Sequence, residues 1–125
     1  MNKEDDFFEE MWEMMISKEL LTEILGTEVL SCKEVKQTPI IRYKFKSIGE
    51  TRDSSINTYE LAYLCEKWAY RNNYLIESLY NEQNEIYVYW MSRLNARIDF
   101  NGSSEPESIF KACEYIIEEI KKRCK

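Results

Sequence analysis

Histidine is absent from this 125-residue chain, and glycine and proline are scarce, at three and two residues. Histidine is the usual general base at neutral pH and the commonest metal ligand, so its absence excludes catalytic triads, cysteine–histidine pairs and most zinc sites. No apolar run approaches the roughly 20 residues that cross a bilayer, and the acidic start MNKEDDFFEE is unlike a signal peptide. We therefore expect a cytoplasmic protein that does not bind membranes and folds as one domain over residues 1–125.

The four cysteines are widely spaced and include no CxxC pair, which excludes a zinc knuckle and a thioredoxin-type redox pair. Cys65 and Cys113 fall on the apolar sides of two predicted helices, together with Trp68 and Ile116, and we expect all four residues in the core. The glycines are isolated, so no glycine-rich phosphate loop is present. We expect no catalytic residues, no metal site, no cofactor and no enzymatic activity.

The excess negative charge is confined to the N-terminus. Residues 1–25 hold eight acids and two bases, whereas the remaining hundred residues hold fifteen of each. Apolar residues recur at spacings of three and four from Phe7 to Leu25, until Gly26 interrupts the pattern. The sequence therefore predicts one acidic amphipathic helix over residues 1–25, beginning at about Asp5.

The first three turns of this helix combine acids with aromatic and methionine side chains, a composition typical of helices that bind a partner protein. The predicted partner-binding residues are Phe8, Glu9, Glu10, Trp12 and Glu13. Packing against the chain's own core or in a homodimer is the alternative for this segment.

Residues 27–47 show the period of two that predicts a pair of β-strands. In the second strand Ile41, Tyr43 and Phe45 alternate with basic residues, so one face is apolar and the other basic. The basic residues of the pair are Lys33, Lys36, Arg42, Lys44 and Lys46. Such a strip is able to hold a nucleic-acid backbone, although a solvated sheet face or a surface that pairs with the acidic helix also fits the pattern.

The sequence pattern of residues 57–122 predicts a helix, a three-stranded meander and a terminal helix. Residues 47–56 read as a polar loop, and Asn57 with Glu60 begins a helix. Three short strands follow at hairpin spacing, and the middle one, EIYVYWM, has two apolar faces typical of a central strand. Ser104 and Glu107 open the last helix. The expected fold class is α+β, with an antiparallel sheet of about five strands packed against the two C-terminal helices, plus the N-terminal helix.

The stretches YELAYLCEKWAYRNNY and SEPESIFKACEYIIEEI give residues 57–122 a resemblance to small phage and prophage proteins of the "phage ABA-sandwich" type. The resemblance rests on helix-packing residues and includes no chemical motif. It implies an origin in a phage or mobile element, and no particular activity.

Two functions follow from these patterns. The first is a non-enzymatic interaction protein of a phage or mobile element, which binds the basic surface of a host or element-encoded protein through the acidic helix. Inhibition of a host defence nuclease is one form of it, because carboxylates can occupy a groove that binds phosphates. The alternative is a nucleic-acid-binding accessory protein that uses the basic strands.

Overall fold

The computed structural model describes residues 16–35 and 37–124, and the chain divides after Glu60 into two compact units. The described part contains three helices and six strands. They are α1 (Lys18–Leu25), β1 (Val29–Glu34), β2 (Ile40–Ser47), β3 (Glu50–Asn57), α2 (Thr58–Arg71), β4 (Tyr74–Ser78), β5 (Ile86–Trp90), β6 (Arg93–Phe100) and α3 (Glu105–Arg123). None of these helices has the length and apolar character needed to span a membrane.

The strands form two antiparallel three-stranded sheets, with the orders β1–β2–β3 and β4–β5–β6. The α+β class is therefore confirmed, but the prediction of about five strands in one sheet is wrong. The additional strand is β3, which the sequence pattern assigned to a polar loop. It pairs with β2 along its whole length, from Asn57 opposite Ile40 to Glu50 opposite Ser47. Its side chains are almost all exposed, so they show no apolar alternation.

A two-residue turn joins β2 to β3. Ile48 and Gly49 have φ values of 48° and 79°. Positive φ at both central positions is the backbone geometry that matches the right-handed twist of a hairpin. The pairing of the two strands therefore depends on this turn as well as on the ladder of backbone hydrogen bonds.

The first described helix begins later than the sequence pattern predicts. The Ser17 hydroxyl accepts a hydrogen bond from the Leu20 backbone N–H at 3.0 Å, and Ser17 itself has an extended backbone. The helix therefore begins at Lys18, and the prediction of one unbroken helix over residues 1–25 is wrong at residues 16 and 17, which are not helical. It ends at Gly26, as predicted, with a φ of 71°. The part of the predicted helix at residues 1–15 lies outside the described residues.

In the second unit the predicted meander and terminal helix are confirmed. The Ser104 hydroxyl caps α3 by accepting from the Glu107 N–H at 3.2 Å, and the Glu107 carboxylate accepts from the Ser103 N–H at 2.9 Å. The buried side chains come from α2, the sheet and α3, and include Leu61, Cys65, Trp68, Ile86, Val88, Phe110, Cys113 and Ile116. The core positions predicted for Cys65, Trp68, Cys113 and Ile116 are therefore confirmed.

β5 is the central strand of its sheet, as its two apolar faces predict. Ile86 and Val88 are buried on one face, whereas Tyr87 and Tyr89 are half-buried on the other. The Arg97 guanidinium lies 3.9 Å above the Tyr87 ring and forms an ion pair with Asp99. This second face is therefore covered partly by side chains of its own sheet.

Candidate anion-binding face

The alternation of β2 separates its cations from its apolar side chains. One face carries Ile41, which is buried, and Tyr43 and Phe45, which are half-buried. The ring centroids of Tyr43 and Phe45 are 5.7 Å apart. The other face carries Arg42, Lys44 and Lys46, all exposed. The predicted division of this strand into an apolar and a basic face is confirmed.

The register of the sheet brings a fourth cation to the same face. Lys33 of β1 lies directly opposite Arg42, so Lys33, Arg42, Lys44 and Lys46 share one surface, which we call the basic face. Side chains directly opposite each other on neighbouring strands lie close together on one face, so Lys33 and Arg42 concentrate positive charge there. Lys36, the fifth predicted residue of the strip, lies outside the described residues.

A groove of about 390 Å³ crosses the strands on the basic face. Two cross-strand rows of side chains border it: Lys33 with Arg42 on one side, and Ser31, Lys44 and Asp53 on the other. The rows are two residues apart along each strand, a separation of about 7 Å. Between them lies the row of Cys32, Tyr43 and Ser54, whose side chains point to the opposite face because successive residues alternate. The middle row thus leaves space for a ligand.

The positive charge of the basic face is a local feature. Residues 16–60 contain seven acids and seven bases, so this part of the chain has no net excess of cations. Within the described part of the chain, Arg42, Lys44 and Lys46 form no ion pair, and Asp53 of β3 lies opposite Lys44 on this face. Arg52 points to the opposite face and pairs with Glu50 at 3.5 Å. An anion placed beside Arg42 and Lys44 would therefore meet two cations that form no ion pair with a described carboxylate.

A second groove, of about 340 Å³, lies in the second unit between α2 and β4. Its lining is Tyr63, Glu66, Lys67, Tyr70, Arg71, Tyr74, Leu75 and Ile76. The sequence analysis missed this groove. The sequence does contain a signal for it. Tyr63 and Tyr70 are seven residues apart and Lys67 and Arg71 are four apart, so both pairs lie on the exposed side of α2.

The remaining predicted sites are not in the described part of the chain. The partner-binding residues Phe8, Glu9, Glu10, Trp12 and Glu13 all lie in residues 1–15. Among residues 16–35 and 37–124 no group of three or more cysteine, aspartate or glutamate side chains is arranged to hold a metal ion.

Comparison of this chain with protein-family models, with curated proteins and with solved structures finds no match. The resemblance to phage proteins stays a prediction, and the function is argued from the geometry of the sites.

Proposed function

We propose that this protein binds nucleic acid through the basic face, by contacts to phosphates. The observation that carries the proposal is the gathering of Lys33, Arg42, Lys44 and Lys46 from two strands around one groove. Neutralisation of phosphates by lysine and arginine, with release of their counterions, supplies most of the affinity of sequence-independent nucleic-acid binding.

The groove suits a phosphate better than a carboxylate. Arg42 presents a planar fork of N–H donors that engages two phosphate oxygens at once, and Lys44 across the groove supplies a mobile ammonium for a third. Ser31 adds a hydroxyl donor to the row that contains Lys44. The approximately 7 Å between the two rows leaves room for the phosphate between its donors.

The chemistry of the face favours binding without sequence specificity. Its described side chains are lysine, arginine, serine, threonine and aspartate, with no aromatic ring. Single-strand binders stack bases on aromatic side chains, and sequence readers hydrogen-bond to base edges from an element that enters a groove. A flat sheet face with flexible cations contacts mainly the backbone.

The predicted interaction of an N-terminal helix with a basic host protein remains a separate prediction, because its residues lie outside the described part of the chain. It differs from the proposal in the sign of the partner's charge. A protein that used only its acidic segment would have no affinity for nucleic acid.

The test is fluorescence anisotropy of a labelled oligonucleotide, single-stranded and duplex, titrated with the full chain. Reversal of charge in the double variant Arg42→Glu and Lys44→Glu is expected to weaken binding by at least about tenfold, since hydrogen bonds to charged groups contribute about 1.5–3 kcal/mol. The charge-matched comparison is Arg42→Glu alone with Arg52→Glu, because each changes the charge by two units and Arg52 lies on the opposite face of the sheet. Equal losses in the two variants, or no binding by the unaltered chain, would contradict the proposal.

A further inference from the structure

The groove between α2 and β4 is bordered by large aromatic side chains that remain in contact with water. Tyr63 and Tyr70 are 56% and 60% exposed, and Leu75 on the strand side is exposed as well. The two tyrosines are seven residues apart and therefore lie on the same side of the helix. Concave surfaces lined by aromatic and apolar side chains are typical of ligand-binding sites.

The electrostatics of this groove favour an anion. Lys67 and Arg71 are one helical turn apart, and neither forms an ion pair within the described residues. The Lys67 ammonium lies 4.6 Å from the centre of the Tyr63 ring, which holds it beside the groove. Glu66 is the one acid in the lining, and burial, together with the Glu105 carboxylate, raises its pKa. The lining of the groove thus holds two cations and one carboxylate.

We propose that this groove binds a nucleoside monophosphate, with the base stacked on a tyrosine ring and the phosphate held by Lys67 and Arg71. A flat base offers a π-face to the exposed rings, a contact that does not depend on base identity. Phosphate has three acceptor oxygens, enough for the fork of Arg71 and the ammonium of Lys67 together. The volume of 340 Å³ is at the small end of the range for ligand pockets and suits one nucleotide. The site is separate from the basic face and does not depend on it.

The test uses nuclear magnetic resonance of the isotopically labelled full chain, titrated with adenosine monophosphate, adenosine and inorganic phosphate in turn. Adenosine monophosphate is expected to shift backbone resonances of residues 63–76. It should bind at least about tenfold more tightly than adenosine, because adenosine has no phosphate to accept the hydrogen bonds of the cations. Arg71→Gln should weaken the monophosphate selectively, and Tyr70→Ala should weaken adenosine and the monophosphate alike, by roughly 5- to 100-fold.

Two variants serve as matched controls, with circular dichroism to confirm folding. Lys122→Gln removes an exposed cation from α3, outside the groove. Tyr59→Ala removes a tyrosine of α2 that is 62% exposed and does not line the groove. Both should leave the affinity unchanged.

Three results would overturn the inference. The first is the absence of any shift with the monophosphate, and the second is equal affinity for adenosine and the monophosphate. The third is a set of shifts confined to residues 31–54. That result would place the phosphate on the basic face, and it would not contradict the proposed binding of nucleic acid there. Conversely, a nucleotide bound at residues 63–76 by a chain that does not bind oligonucleotides would support this site and contradict only the proposed function.

Discussion

Replacement of Ile116 by alanine should reveal how far the stability of the second unit depends on the packing of α3. Ile116 is fully buried, on the face of α3 that also buries Cys113 and Ile117. The substitution removes three carbon groups, a transfer free energy of about 2.4 kcal/mol at about 0.8 kcal/mol each. The cavity left behind adds to this loss, while the better helix propensity of alanine offsets less than about 1 kcal/mol. The net expected loss is about 2–4 kcal/mol.

The same substitution at Ile120 is the matched control. Ile120 lies one turn further along the same helix and is half-buried, so it has the same change in propensity and a smaller loss of packing, about 1 kcal/mol. Urea denaturation followed by circular dichroism measures both variants, and the Ile116→Ala midpoint should fall by about 1 M or more at an unchanged slope. A midpoint shift no larger than that of Ile120→Ala would refute the assignment of the buried face.

Four further predictions concern other parts of the fold. Ser104→Ala should cost about 1 kcal/mol through loss of the cap of α3, measured by urea denaturation. Burial acts to raise the pKa of Glu107, but hydrogen bonds with Ser103 and the ion pair with Lys111 outweigh burial, so the pKa is lowered. The wild type should therefore be more stable than Glu107→Gln above about pH 4.3, and this difference should disappear as the pH falls. Thermal melts of both proteins at several pH values measure it. Ile48→Asn should raise the free energy of unfolding by about 0.5–1 kcal/mol, seen as a higher urea midpoint, since asparagine tolerates the positive φ better than a β-branched residue. A disulfide reagent should modify exposed Cys124 rapidly and Cys113 only on unfolding, because a hydrogen bond with Cys65 and burial raise the pKa of the Cys113 thiol.

The parts of the fold that the sequence predicts correctly are those in which burial leaves a periodic pattern. β2 has apolar residues at every second position because one face is covered, and α3 has them at helical spacing between a capping serine and a basic end. β3 has no such pattern, since its side chains are exposed on both faces and its backbone pairing with β2 defines it. Pairing of this kind is not visible in the strand's own residues.

The start of α1 was missed for a related reason. Apolar spacing continues across Ser17, so the pattern suggests one helix, whereas the Ser17 hydroxyl caps a new one. Serine competes with the helix through such local hydrogen bonds.

The candidate sites differ in how much the sequence reveals. The cations of β2 are predictable from alternation, but the position of Lys33 opposite Arg42 requires the register, which the bulge after Val29 shifts. The groove of the second unit depends on the turn at Asn73, where φ is 70° and the chain reverses from α2 into β4. No pattern within α2 alone shows that its tyrosines border a concave surface.

The most direct test of nucleic-acid binding by the basic face is the salt dependence of the affinity for a single-stranded oligonucleotide. If the four cations each neutralise one phosphate, the logarithm of the binding constant should fall with the logarithm of salt concentration with a slope of about −3. Arg42→Ala should make that slope shallower by about 0.7, whereas Arg52→Ala, on the opposite face, should leave it unchanged. A slope near zero, or a slope that Arg52→Ala changes as much as Arg42→Ala, would contradict the assignment of the basic face as the site of binding.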